Sequence, residues 1–405
     1  MSVYASPIST ITKKPESSHI AALDGIRGLA ILMVLGHHLV HINGGPTTPV
    51  YLWARALRES LWCGVDVFFA LSGFLITGIL IKTVAAPGFF RNFYIRRVLR
   101  IFPLYYGVLL VLFACTSLLH IHWAGQQWRL LTYSNHILLD THSSGFNFYF
   151  GGHVDLANFW SLHVEEQFYF VWPLLVFLIP SPRRLIPLTV VLSFASLGLR
   201  LWCSTHGVFH EVIYATFLTR ADNLFIGATL ALLIETHLRD RVLRAAGPIL
   251  LLSVLAIAAI FFTGRGLHFT GTITFSIQFT LLALASTALI GLCLDPGSRF
   301  TRMLSLRPLR FFGKYSYGLY IYHSVLPMFL LPPLLRVLAP LAVHGHTMVV
   351  HLLTVFTELA AATVVSVLSY RYFESPFLRL KKHFEYFTRP TIPELSDPEP
   401  ALPSQ

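Results

Sequence analysis

LDGIRGLAILMVLGHH, residues 23–38, places an arginine at the head of an apolar run and two histidines near its end. Such a run approaches the roughly 20 residues that cross a bilayer, and its polar groups are costly unless they serve a purpose. Comparable apolar stretches follow at approximately 61–81, 102–119, 160–180, 185–203, 213–236, 246–263, 272–294, 315–338 and 347–370. The whole chain is 405 residues long, 55% hydrophobic and 12% charged, with a mean hydropathy of +0.64. Ordinary soluble proteins carry about 25% charged residues, so a water-soluble enzyme and a disordered body are both excluded. The sequence predicts an all-α, polytopic transmembrane helical bundle of about ten spans.

Lysine and arginine set the orientation. With the N-terminus in the cytoplasm, the inward segments collect most of the positive charge, including Arg91, Arg96, Arg97, Arg100, Lys381 and Lys382. The outward loops hold only Arg55, Arg58, Arg129, Arg200, Arg220, Arg265 and Arg336. Both termini are therefore expected in the cytoplasm. The formal net charge of +11 reports this topology rather than nucleic-acid binding. The first apolar run contains Asp24 and Arg27 and lacks a convincing cleavage site, so it reads as a retained span.

The expected organisation is a cytoplasmic tail over 1–20, a transmembrane domain over 21–380 and a disordered cytoplasmic tail over 381–405. The longest outward loop, from about His120 to Asn158, carries a short interfacial helix within Gln126–Leu139. Cys63, Cys115, Cys203 and Cys293 read as free thiols in or beside apolar stretches.

Four stretches carry possible chemistry. Arg27 and His38 are eleven residues apart, about 1,100° of helical rotation and about 16 Å of rise, so one face offers a cation near one membrane surface and an imidazole near the midplane. His37, about 100° away, is the ambiguous neighbour. A neutral imidazole is able to accept a hydroxyl proton; it also serves as a polar core group bonded to a neighbouring helix.

GVDVFFALSGFLIT, residues 64–77, brings Asp66 to a depth similar to His38, as an orienting carboxylate or as a helix cap at the boundary. Ser72, Gly73 and Gly78 there suit close helix packing. FYIRRVLRIFPLYY, residues 93–106, sets Arg97 and Arg100 three apart on one face, suited to a phosphorylated ligand such as coenzyme A or to ordinary topology and lipid contact. FWSLHVEEQFYFVWP, residues 159–173, carries Glu165 and Glu166, of which Glu165 is expected to orient His38 or act as a second acid or base. Glu166 is expected nearer solvent, and His163 is expected at the interface.

Together with TRADNLFIGATLALL (219–233), GKYSYGLYIYH (313–323) and SYRYFESPF (369–377), these stretches resemble the acyltransferase 3 family of integral membrane O-acyltransferases. The resemblance runs from about residue 20 to 380 and lies in the order and spacing of the motifs. It implies transfer of an acyl group, commonly acetyl, from cytoplasmic acyl-CoA to a hydroxyl of a surface polysaccharide, lipid-linked sugar or small molecule. It maps the family's arginine and histidine motif onto Arg27 and His38, its paired arginines onto Arg97 and Arg100, and its glutamate onto Glu165. Arg220, Asp222, Tyr317, His323 and Glu374 fall on further motifs, where structural roles compete. The hydrolase-like extracellular domain of some members has no counterpart in this sequence.

The resulting expectation is catalysis by His38, with Glu165 or Asp66 orienting it, and donor binding by Arg27, Arg97 and Arg100. The donor is acyl-CoA, the acceptor a hydroxylated glycan, glycolipid or small molecule, and the site the bacterial inner membrane. Membrane lipids are the surrounding partners, and no metal is expected, because the pairs His120/His122 and His344/His346 lack a carboxylate or thiolate. The competing class is a transporter or flippase for a glycan, lipid or small molecule.

Overall fold

The computed structural model describes residues 20–40, 48–121, 123, 127–134, 149–150, 154–264, 266–267, 273–344 and 346–386. Eleven long helices dominate: α1 (Ala21–Leu39), α2 (Gly64–Thr83), α3 (Phe89–Ala114), α4 (Trp160–Leu178), α5 (Pro182–Thr205), α6 (Phe217–Ile234), α7 (Arg239–Gly264), α8 (Ile273–Leu292), α9 (Arg307–Val325), α10 (Pro327–Val343) and α11 (Thr347–Ser369). Among the described residues eight helical segments are long and apolar enough to cross a membrane, or nine if the pair α9 and α10, bent by 58°, is one span. The bend falls at Pro327, whose missing N–H and ring oppose a continuous helix. The tenth expected span, α4, is a 19-residue helix outside that set. Polar residues from His163 to Gln167 lower its hydropathy, and Glu165 among them lines the cavity described below. The chain is an integral membrane protein built as a helical bundle.

Small residues place the inner helices. α1 packs along α9, and a Cβ on Gly25, Gly28 or Gly313 would collide with the backbone carbonyl of Leu304, Leu309 or Asp24, respectively. Gly28 and Gly313 thus let α1 and α9 approach until backbones touch, and Gly25 does the same for the short helix Arg299–Leu304 that precedes α9. α2 meets α6 in the same way, with Gly73 against the Leu224 carbonyl and Gly227 against that of Ala70. Gly78, expected to serve likewise, faces open space, and Ser72 forms a side-chain hydrogen bond instead. We expect Gly28→Val to force α1 and α9 apart, at a cost of at least the 1–3 kcal/mol typical of overpacking. Fluorescence-detected size-exclusion chromatography would read this as a fall in folded protein.

The periphery is apolar on its outer side. Leu251, Leu252 and Leu255 of α7 and Leu352, Phe356 and Val364 of α11 are exposed, as hydrocarbon solvent allows. A helix over Pro49–Ser60, unanticipated in the loop before α2, lays Trp53 against Phe261 and Phe262 of α7 at 5.7 and 5.4 Å between ring centroids. Within the long loop the structure describes the helix Gln127–Leu131 and a two-residue hairpin pairing Tyr149–Phe150 with Val154–Asp155. His122 and residues 124–126, 135–148 and 151–153 of that loop lie outside the described residues, as do the tails 1–19 and 387–405.

Two corrections concern positive charge and the C-terminal boundary. Arg200 and Arg220, assigned to outward loops, are fully buried inside the bundle, each in an ion pair. Helical chain also continues past residue 380, through Ser375–Leu380 into a final turn, Lys381–Phe384.

Candidate active site

α1, α2, α3, α4 and α9 enclose a cavity of about 130 Å³. Its polar wall comprises Arg27, Arg97, Arg100, Glu165, Tyr169 and Tyr317, together with Ser72, Ser161 and Tyr320; Phe68, Phe69 and Leu162 are among its apolar members. Four of the six residues expected from sequence therefore meet in one space. Helical periodicity explains this: Arg97 and Arg100 share one face of α3, while the neighbouring Arg96 turns away and donates to carbonyls near the C-terminus.

The cationic end is held from several sides. Arg27 Nη1 is 2.7 Å from Asp24 Oδ1, one turn back on α1. The Arg97 guanidinium lies 4.5 Å from the Tyr169 ring centroid, a stacking geometry open to planar guanidinium and less so to an ammonium. Arg100 keeps its side chain accessible, with Arg27 and Arg97 as neighbouring like charges. Tyr317 donates to the Ile101 carbonyl at 2.7 Å, fixing α9 against α3 beside these groups. Glu165 faces Arg97 and Arg100 and groups with Ser72 and Tyr169, whose hydroxyls bond to each other.

His38 lies beyond the wall. Its Nδ1 is 2.9 Å from the Val34 carbonyl, which only accepts, so Nδ1 carries the proton and Nε2 is the basic nitrogen. Its ring meets those of His37 and His323 at centroid distances of 4.8 and 5.0 Å. His37 turns to the Pro49–Ser60 helix, where Arg58 Nη1 donates to its carbonyl at 3.2 Å. His38 turns to α9. The two histidines therefore separate as their 100° offset requires.

His323 completes a chain of contacts back to the cavity. It is buried, its Nδ1 is 3.1 Å from the Leu319 carbonyl, and Asn158 Nδ2 donates to its Nε2 at 3.2 Å. The same Asn158 presents its carbonyl to the Tyr320 hydroxyl at 2.8 Å, and Tyr320 lies 2.5 Å from Ser161 Oγ. Ser161 and Tyr320 are wall residues, so hydrogen bonds run from the cavity through Asn158 to His323, whose ring packs against that of His38. The sequence held a signal for this arrangement that went unread: Tyr317, Tyr320 and His323 recur every three residues on one face of α9.

Asp66 is placed elsewhere. Its Oδ1 receives Arg220 Nη2 at 2.6 Å and also bonds to Asn223. The expectation that Asp66 orients His38 is corrected accordingly: a fully buried carboxylate needs a counter-charge, and α6 supplies one directly opposite. Arg220 is itself packed 4.0 Å from the Phe279 ring centroid. Asp222, two residues on, holds Arg200 through two hydrogen bonds of 2.8 and 2.7 Å, with Thr280 donating to its second oxygen at 2.6 Å. The run Arg220–Asn223 thus rivets α6 to α2 and α5.

Two further expectations shift. His163 is fully buried, with Nε2 2.9 Å from the Tyr105 hydroxyl, rather than interfacial. Glu166 has one buried carboxylate oxygen rather than a solvent-facing group. Among the described residues no three His, Cys, Asp or Glu side chains are grouped to hold a metal ion.

Comparison with known proteins follows the same geometry. The acyltransferase domain family of the acyltransferase 3 type matches residues 20–371, which contain every wall residue of the cavity and both members of the His38–His323 pair. The chain is 27% identical over 396 residues to the peptidoglycan O-acetyltransferase OatA of Listeria monocytogenes, covering 93% of this chain and 58% of that one. It is 28% identical over 385 residues to the putative peptidoglycan O-acetyltransferase YrhL of Bacillus subtilis, covering 90% and 56%. A putative O-acetyltransferase of Staphylococcus aureus strain COL is 25% identical over 393 residues, covering 90% and 58%. The chain thus spans little more than half the length of these curated relatives. No solved structure matches it significantly. With the family match running through all of the inner helices and their motifs, this chain belongs to the acyltransferase 3 family.

Proposed function

We propose that this protein is a membrane O-acyltransferase that moves an acyl group, acetyl in the simplest case, from acyl-CoA to a hydroxyl of a cell-envelope glycan. The observation that carries this reading is the convergence of Arg27, Arg97 and Arg100 on one cavity, with His38 farther along the helix that bears Arg27. Guanidinium groups bind phosphate oxygens through paired, charge-assisted hydrogen bonds, so the three arginines suit the phosphates of the donor. The relatives named for peptidoglycan acetylation point to that glycan as acceptor and to acetyl as the group moved.

The lysine and arginine distribution supports a cytoplasmic location for the arginine end and for both termini in a bacterial plasma membrane. The donor then enters beside Arg97 and Arg100 and presents its thioester toward Ser161 and Tyr320. His38 Nε2 takes the proton of the acceptor hydroxyl as its oxygen attacks the thioester carbon. The carbon–sulfur bond breaks, the coenzyme A thiolate leaves, and the proton held by His38 passes to it, which returns the imidazole to its neutral form. His323, held by Asn158 and Leu319, acts as a positioning residue that fixes the His38 ring. Glu165 keeps Arg97 and Arg100 directed into the cavity.

Mass spectrometry of envelope glycans from cells with and without the gene tests this reading. We expect a base-labile mass increase of one acyl group on glycan fragments only where the gene is present. An unchanged ester content in every fraction would remove the glycan acceptor, and movement of a glycan without ester formation would favour transport.

A further inference from the structure

The chain beyond the family match forms a strap across the arginine end of the bundle. After a π-helical turn at Tyr370–Glu374, the helix Ser375–Leu380 and the turn Lys381–Phe384 pack on α3. Arg96 Nη1 donates to the carbonyls of Lys381 and Phe384 at 3.2 and 3.4 Å, meeting acceptors that a helix end leaves unpaired. The Arg91 guanidinium lies 5.5 Å from the Phe384 ring centroid, and Asn92 Nδ2 donates to the Glu385 carbonyl at 3.3 Å. Arg91, Asn92 and Arg96 of α3 thus pin the end of the strap, from Lys381 to Glu385.

This anchoring holds half-buried Lys381 within electrostatic range of Arg96, Arg97 and Arg100, three residues after Leu378, which shares a small cavity with Arg100. Among the described residues no carboxylate lies within ion-pair distance of any of these four cations. Glu374 is the acidic group beside Arg100; it accepts from Ser369 at 3.2 Å and shares a small polar side cavity with Arg100, Tyr317 and Leu378 of the strap. Glu165, on the opposite wall, faces Arg97 and Arg100 from the main cavity. Positive charge therefore exceeds negative charge where the strap meets the cavity mouth. Like charges at such range repel, and the arrangement is stabilised when a polyvalent anion enters it.

We propose that the C-terminal strap is part of the ligand site, and that Lys381 joins Arg97 and Arg100 in binding a phosphate group at the cavity mouth. This rests on the donor reading above for the source of that phosphate; an anionic lipid headgroup offers the same chemistry. Lys381 contributes a point charge that reaches a phosphate from the strap side, whereas the arginines reach it from α3. The donor is then clasped between a helix of the bundle and a segment that the family match does not include.

The test uses the full chain in phosphatidylcholine nanodiscs, with acetyl-CoA and dephospho-coenzyme A as probes. Lys381→Gln should weaken acetyl-CoA binding by about tenfold, the low end for a hydrogen bond to a charged group, and Lys381→Arg should recover most of it. Lys382→Gln, at the exposed neighbour, should bind as wild type. A parallel arm measures phosphatidylglycerol co-purifying with each variant. Weakened acetyl-CoA binding with unchanged lipid assigns the phosphate to the donor, and lost phosphatidylglycerol with unchanged acetyl-CoA binding assigns it to lipid. If Lys381→Gln binds both as wild type does, Lys381 has no ligand role and the proposal is overturned. If wild type fails to bind acetyl-CoA, the donor reading itself falls, a result separable from any effect of Lys381.

Discussion

His38→Ala is expected to reduce acyl transfer by about 10²–10⁴-fold, the range that a positioned general base supplies, while the protein accumulates to wild-type levels. Accumulation should hold because His38 is only half-buried. Acetyl-CoA binding should also hold, since the proposed donor-binding groups Arg27, Arg97 and Arg100 line the cavity away from His38. The informative contrast is His323→Asn. As a positioning residue, His323 should affect kcat by up to about 10²-fold through misalignment of the His38 ring, with the donor KM unchanged. Single-turnover assays on purified variants would separate these effects. Full activity in His38→Ala would remove the imidazole from the chemistry, and a raised donor KM in His323→Asn would place that residue in binding.

The difference between what was legible and what was not has a physical pattern. Apolar length located the helices, because hydrocarbon thickness is a one-dimensional constraint that a sequence displays directly. It located α4 as well, expected over 160–180 and found at Trp160–Leu178, although polar residues there, Glu165 of the cavity among them, lower the apolar signal. Periodicity placed Arg97 and Arg100 together, since both lie on one helix and three residues apart is a local relation. It separated His37 from His38 for the same reason.

Partnerships between helices were less accessible. Asp66 and Arg220 are separated by 154 positions and meet because Gly73 and Gly227 let α2 and α6 touch. Depth alone brought Asp66 level with His38, and depth says nothing about rotation around the helix axis. His323 was recognised only through its motif, although the spacing of Tyr317, Tyr320 and His323 already described a polar stripe. The last turn of the strap, Lys381–Phe384, fell just past residue 380, in the tail expected to be disordered. Its order comes from specific anchors on α3, which composition cannot register.

The second large effect concerns stability and decides whether Asp66 belongs to the fold or to the chemistry. Breaking a buried ion pair by removing one partner costs about 3–5 kcal/mol, because the remaining charge is left in a medium of low polarity. Asp66→Ala strands Arg220 among Phe69, Trp160, Tyr214 and Phe279, and Arg220→Ala strands Asp66. Each single variant should therefore lose most of its folded protein on heating or in detergent, as read by size-exclusion and thermal-shift measurements. Replacing both partners with apolar groups removes both desolvation costs, so the double variant Asp66→Leu, Arg220→Met should recover much of the loss. Transfer per folded molecule in that double variant should stay within a few fold of wild type, since the His38–His323 pair and the three cavity arginines are untouched. A double variant that folds well yet loses transfer by 10²-fold or more would return Asp66 to the reaction and would make its pairing with Arg220 a device for tuning the site.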